Sequence, residues 1–223
     1  MEDRFLRQRD LINQKVLGTK SLTVVGCGSI GSFSALTLAK MGISKITLYD
    51  FDNVETHNLS NQFFRNQDLG LNKAEATAQI LKDMTETQNI NVMPFKYEQQ
   101  PILTDIILAV VDNIEGRQNI FMNALKSDKC KLYLDVRMNA GNLTVLAVDL
   151  TKDEQINSFV NDFLLDVNPI EGRCTARTII YTVLMCCSHV ADIVKKYVTG
   201  NIYPNYLHFC FDNYYRIVDM KEG

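Results

Sequence analysis

A short apolar run, Ser21–Val25, stops at Gly26-Cys-Gly28-Ser29-Ile30-Gly31; a helical segment, Ser32–Met41, and a second apolar run, Ile43–Tyr49, follow. Strand, glycine turn, helix and strand in that order form a βαβ unit, which commits the chain to a parallel sheet with helices packed on it. The glycines match G-x-G-x-x-G in the context that pattern needs. Gly26 permits the tight turn, Gly28 lets a phosphate approach backbone N–H groups, and Gly31 lets helix and strand lie close together. Ser29 and Ile30 complete the turn at a helix N-terminus, which attracts phosphate charge. The turn therefore predicts a nucleotide without saying which one.

Further along, the spacing predicts a helix over Lys73–Met84, a strand over Asn91–Tyr97 and a strand over Ile106–Val111, apolar throughout as expected when both faces are covered. A helix at Ile114–Lys126 precedes strands at Lys131–Arg137 and Leu143–Asp149, joined at Gly141-Asn142. Thr151–Val167 reads as partly helical, a loop spans residues 168–175, Ala176–Val198 is a long apolar helix, and Leu207–Val218 closes as a hairpin around Asp212-Asn213. Before the core, residues 2–15 read as an amphipathic helix with Phe5, Leu6, Leu11 and Ile12 on one side. The fold class is thus α/β: a Rossmann-like, doubly wound, largely parallel sheet with an antiparallel C-terminal extension. One domain over residues 1–223 is expected, with an N-terminal helix (1–18), a nucleotide-binding core (19–130) and a decorating second half (131–223).

Composition removes several function classes. A chain of 223 residues that is 46% hydrophobic can bury a substantial core. Its formal charge of -3, from 23 basic and 26 acidic residues, gives no pull toward nucleic acid. No apolar stretch approaches the roughly 20 residues that cross a bilayer, and the N-terminus is too charged for a signal-peptide core, so a soluble, cytoplasmic protein is expected. Six cysteines (Cys27, Cys130, Cys174, Cys186, Cys187 and Cys210) lack the paired C-x₂-C spacing of a zinc site, so no zinc is expected.

The run Asp50-Phe-Asp52-Asn-Val-Glu-Thr-His-Asn58-Leu-Ser-Asn61-Gln62 narrows the nucleotide. One acidic residue at this strand end, Asp50, would hold ribose hydroxyls in an NAD site and in an ATP site alike. A second carboxylate, Asp52, and a string of amides point instead to ATP with Mg²⁺.

Taken together, these features resemble the ThiF/MoeB/HesA family of E1-like enzymes, which adenylate the C-terminal carboxylate of a ubiquitin-like protein. Five segments carry the likeness in the family's order. Arg4-Phe-Leu-Arg7-Gln is similar to its R-Y-x-R-Q, and Val25–Ser32 to its glycine turn. Residues 48–62 resemble L-x-D-x-D-x-V-x-x-x-N-L-x-R-Q, Gly70-Leu-Asn-Lys73-Ala resembles G-x-x-K-A, and Asp112-Asn113-Ile-Glu-Gly-Arg117 resembles D-N-x-x-x-R. The resemblance implies Asp50 at the ribose, Lys73 at the phosphates, and Asp112 at Mg²⁺ and the reacting phosphate. It also implies that Arg7 reaches the ATP site of a neighbouring subunit in a homodimer, and that the second half of the chain binds a small β-grasp protein. Arg117 reads as a structural or surface residue. His57 reads as a solvated or hydrogen-bonded side chain.

Two positions depart from the pattern. Asn61 stands where the family has an arginine; Arg65, one helical turn on, is the residue that can supply the missing charge. Cys174, between Arg173 and Arg177 and ahead of a helix, has surroundings that lower a thiol pKa, and it is placed like the acyl-accepting cysteine of some E1-like enzymes. It reads equally as a loop residue. Cys27, Cys186 and Cys187 read as packing residues. Three rivals stay open: an NAD-dependent enzyme, an E1-like enzyme acting on a peptide or tRNA, and a non-catalytic E1-like subunit. The chain is expected to end with the adenylation unit, leaving later steps to separate proteins.

Overall fold

The computed structural model describes residues 4–85, 87–164 and 178–220. Eight strands form one sheet in the order β3-β2-β1-β4-β5-β6-β7-β8. β1 (Ser21–Val25), β2 (Lys45–Tyr49), β3 (Asn89–Met93), β4 (Ile106–Ala109) and β5 (Leu132–Asn139) run parallel; β6 (Asn142–Asp149), β7 (Tyr206–Cys210) and β8 (Tyr215–Asp219) extend it antiparallel. This is the doubly wound sheet with an antiparallel extension that the sequence predicts. Where β1 lies between β2 and β4, the winding reverses, and a crevice opens beyond the strand ends.

The helices are α1 (Gln14–Leu17), α2 (Ser29–Met41), α3 (Lys73–Met84), α4 (Ile114–Leu125), α5 (Asp153–Phe159) and α6 (Ile180–Thr199), with a π-helical turn over Val160–Leu164. The alternation of side chains along the strands sends Leu22, Val24, Ile46, Leu48, Leu134 and Val145 to one face, under α2, α3 and α6. Ile107, Tyr133 and Val148 go to the other face, under Phe121 of α4 and Phe159 of α5. The rings of Phe121, Tyr133 and Phe159 meet pairwise at centroid distances of 4.9 Å, 4.7 Å and 5.3 Å. They form a packed aromatic centre for that second layer.

Several boundaries move. The expected N-terminal helix over 2–15 is instead, from residue 4, a run of turns followed by α1, because Leu6 and Leu11 stay exposed and only Ile12 and Leu17 bury. Asn13 accepts N–H bonds from Lys15 and Val16 and so starts α1 late. Strand β3 lies earlier than Asn91–Tyr97, since Pro94 cannot donate to the ladder. Helix α2 begins at Ser29 and takes Gly31 into its first turn. The β5–β6 turn is Ala140-Gly141, with Ala140 at φ 52°, and Asn142 already belongs to β6. The closing hairpin turns at residues 211–214, as expected.

Candidate functional site

Strand β1 ends in the glycine turn, and the three glycines do different things. Gly26 has φ +99°, and a Cβ there would stand 2.8 Å from the Val110 carbonyl oxygen, so the ends of β1 and β4 meet only because no side chain lies between them. A Cβ on Gly31 would meet the Gly26 carbonyl oxygen at 1.8 Å, which seats α2 against the turn. Gly28 has nothing within 4 Å of its Cβ position. It therefore opens a space in front of α2, a helix that starts with no side-chain cap and so points unpaired N–H groups into that space. This is an anion cradle.

Around the cradle, β2 leads into Asp50, whose carboxylate accepts the Cys27 N–H at 2.6 Å and the Asp52 N–H at 2.9 Å. Burial pushes this carboxyl up from its ordinary pKa; those N–H bonds and the charge of Lys73 oppose the shift. The polar loop then folds back on itself through Asn72, which the sequence reading missed. The Asn72 amide donates to the carbonyls of Asp50 and Asp52 at 3.0 and 3.1 Å, while its oxygen caps α3 at Ala74 and Glu75. Its signal was available: an asparagine directly before a helix start. The result sets Lys73 beside Asp52, with Nζ 2.9 Å from the carboxylate. Lys73 is buried and Asp52 half exposed, so the ammonium can exchange one anionic partner for another at the rim.

The amides of the loop divide. Asn58 is buried and accepts the Glu55 N–H at 2.9 Å, which commits it to the loop's own structure. Asn61 and Gln62 lie beside the first turn of α2, where the Phe63 N–H bonds Ser32 Oγ at 3.3 Å. Each holds a buried side-chain oxygen with no partner among the described residues. A half-turn of either amide would exchange that oxygen for the NH₂, since each side chain carries both an acceptor and a donor. Arg65 is already engaged: Nε and Nη2 bond Asp68, and Nη1 bonds Asp83 at 2.9 Å. To serve as the missing phosphate cation it would have to release two carboxylates. His57 is exposed beside Glu55.

Asp112 stands past the end of β4, exposed, with its Oδ1 accepting the Asn113 amide at 3.1 Å. Asn113 caps α4 by accepting the Gly116 N–H at 2.7 Å. Because Val110 abuts Gly26, the turn bearing Asp112 borders the cradle. An open carboxylate there fits Mg²⁺, an ion commonly held by one or two carboxylates together with substrate phosphates. Among the described residues no cluster of three metal-ligating side chains exists.

Arg7 is exposed at the far end of α2: the neighbouring Gln8 donates to the carbonyls of Met41 and Lys40. The whole length of α2, roughly 20 Å, separates that end from its own glycine turn. Cys174 lies outside the described residues. Cys27, Cys186 and Cys187 are buried, and burial pushes each thiol up, Cys187 to about 11, as suits packing residues rather than nucleophiles.

Arg117 is not a surface residue. Its guanidinium is buried against Asp135, a carboxylate that the sequence reading passed over. A single charge inside the apolar strand Leu132–Val136 was the available sign that a paired, buried carboxylate sat there.

The model of the ThiF family matches residues 4–218. Ubiquitin-like modifier-activating enzyme 5 of Drosophila persimilis is 32% identical over 142 residues, covering 56% of this chain and 36% of that protein. The ATP-dependent ubiquitin transferase-like protein Cap2 of Pseudomonas aeruginosa is 39% identical over 98 residues, covering 42% of this chain and 18% of that one. The aligned part thus spans little more than a third of these relatives at most. Among solved structures, PaaA superposes with a TM-score of 0.80 over 98% of this chain and 72% of its own, at 17% identity. Escherichia coli MccB with ATP gives 0.71 over 93% and 65%, at 18% identity. At such identities the likeness establishes the fold.

Proposed function

The chain belongs to the ThiF family, and from that premise we propose that it is an ATP-dependent adenylyltransferase activating the C-terminal carboxylate of a small ubiquitin-like, β-grasp protein. A carboxylate oxygen of the partner attacks the α-phosphorus of ATP, the bond to the β-phosphate oxygen breaks, and pyrophosphate leaves with that electron pair, giving an acyl adenylate. In this reading Asp50 accepts the ribose hydroxyls, the open N–H groups of α2 and the Lys73 ammonium hold phosphate, and Asn61 and Gln62 bind alongside them. Asp112 holds Mg²⁺, which supplies charge neutralisation at the reacting phosphates. Electrostatic placement of this kind carries most of the catalysis in phosphorus transfer.

The observation that carries the reading is the meeting of the two strand ends. Val110 against Gly26 sets an exposed carboxylate, Asp112, next to an anion cradle at the point where the sheet reverses its winding. Arg65 is held by two carboxylates and Arg7 sits at the wrong end of its own α2, so the additional phosphate cation is read as Arg7 of a second copy, in a homodimer with composite sites. Attack of the Cys174 thiolate on the acyl carbon breaks the acyl–phosphate bond, releases AMP and leaves a thioester; this step and a cytoplasmic location complete the proposal.

ATP–pyrophosphate exchange in the presence of the β-grasp partner tests it: exchange is expected from the wild type and not from Asp112→Ala. Exchange that survives Asp112→Ala would sink the mechanism. An adduct released by thiol reagents, and absent from Cys174→Ala, tests the thioester. A second reading keeps the ATP chemistry and changes the substrate. The fold likeness to MccB, crystallised with MccA, favours it, and identification of the adenylated product separates the two.

A further inference from the structure

Behind the Asp112 turn lies a charge cluster that the proposed chemistry does not use. Asp135 on β5 is fully buried. Its Oδ1 accepts from Arg117 Nη1 and from Arg137 Nε at 3.1 Å, and its Oδ2 accepts from Arg137 Nη2 at 3.2 Å. The Arg117 fork reaches further, donating to the carbonyls of Ala109, at the end of β4, and of Val136, on β5, at 3.3 and 3.2 Å. One guanidinium thus stitches the end of the strand that leads to Asp112 onto its neighbour. From the other direction, the Arg117 N–H bonds the Asn113 carbonyl, and the Asn113 amide holds the Asp112 carboxylate.

A buried carboxylate–guanidinium pair is a poor way to gain stability, since apolar side chains of similar volume brace a fold as well or better. What it supplies is fixed, planar, forked geometry. Here that geometry bears on a carboxylate three residues beyond the Ala109 carbonyl it holds, past the strand end. Asp112 itself is exposed, and its carboxylate is held by the Asn113 amide.

We propose that Asp135 is a positioning residue for Asp112, acting through the Arg117 fork to set the carboxylate where it meets Mg²⁺. The inference rests on the reading of Asp112 given above. Partners that orient a metal ligand typically affect metal binding on the order of ten- to a hundredfold.

The test needs only ATP and Mg²⁺. Calorimetry gives the ATP Kd in Mg²⁺ and in EDTA, and the ratio of the two is the Mg²⁺ enhancement. The double variant Arg117→Met with Asp135→Leu replaces the pair by apolar side chains. Arg137, partly exposed, loses the carboxylate but keeps its bond to the Phe163 carbonyl, so the variant is expected to fold with a somewhat lower melting temperature and to bind ATP normally in EDTA, with an enhancement on the order of tenfold or more below wild type. Arg117→Lys, which keeps the charge and loses the fork, is expected to lower the enhancement in the same sense and carries the test if the double variant does not fold. A folded variant with wild-type enhancement, alongside an Asp112→Ala protein that has lost it, overturns the inference alone. Full enhancement in Asp112→Ala overturns the reading of Asp112 and the inference with it.

Discussion

The half that carries the glycine turn, β1 to β4, and the half that carries the antiparallel extension, β5 to β8, weight their polar contacts differently. In the first half many polar contacts join residues close in sequence: Asp52 N–H to Asp50, Asn72 to the start of α3, Arg65 to Asp68. The second half adds to its local pairs contacts between separate elements, such as Asp135 with Arg117 of α4, and Thr144 Oγ1 with His208 Nδ1 at 3.1 Å across two strands. A loop that must present backbone and carboxylates to a ligand has to hold its own shape. A sheet extension can let its neighbours hold it.

The glycine turn gives the sharpest way to break that local design. Gly31→Ala drives a methyl into the Gly26 carbonyl, where neither backbone segment can give way. The substitution is expected to cost about 3 kcal/mol or more and to abolish a cooperative melt. A normal melting curve for Gly31→Ala would contradict the close seating of α2.

Next comes Arg65→Ala, which leaves the buried Asp68 carboxylate without its guanidinium. The expected loss is about 2 kcal/mol, below that of a fully buried pair because solvent screens a guanidinium more than a third exposed. If ATP affinity falls with little loss of stability, Arg65 is a phosphate ligand after all. The same pair sets an acid limb. Burial works to raise the Asp68 carboxyl, but bonds from the Arg65 side chain and backbone outweigh it and hold the group below its ordinary range. A depressed folded-state pKa contributes stability that is complete above the unfolded value of about 4 and disappears as pH falls through the folded one. Urea midpoints should therefore decline below about pH 4, and Asp68→Asn should flatten that decline.

Gly28→Ala sharpens the contrast within one motif. Open space surrounds the new methyl, so the fold should melt as wild type. ATP binding should weaken by about 1 kcal/mol, or roughly fivefold, because the methyl stands in the cradle. Unchanged ATP affinity would place the phosphates elsewhere. The smallest expected effect lies in the other half. Tyr214 takes φ 53° in the β7–β8 turn and makes an edge contact with Phe209. Tyr214→Gly should relieve backbone strain worth about 1 kcal/mol, less the lost ring contact. A lower melting temperature would mean that the ring contact outweighs the strain.

The same division explains what was legible. Strand, glycine turn and helix could be read because each is encoded within a few residues: Gly26 needs its φ, and Pro94 ends β3 where it stands. The amides were harder to sort. Asn58 and Asn61 look alike in the run that contains them, yet one is consumed by the Glu55 N–H and the other keeps a buried oxygen unpartnered among the described residues. Arg65 looked available because its distance from Asn61 is right; Asp68, three residues on, was a competitor legible in the sequence, whereas Asp83, on α3, is brought within reach only by folding.

By itself, then, the sequence determined the βαβ start, the winding of the sheet, the position of the cradle and the residue types at its rim, because periodicity, glycine φ and helix caps act over a few residues. The tertiary structure alone decided which charges remain available. It withdrew Arg65 from the cradle, moved Arg7 to the opposite end of α2, and buried Asp135 between two arginines. Asp68 and Arg137 lie within three residues of their partners, but the Arg65–Asp83 and Asp135–Arg117 pairings depend on distances set by strand order and helix packing, which no local pattern contains.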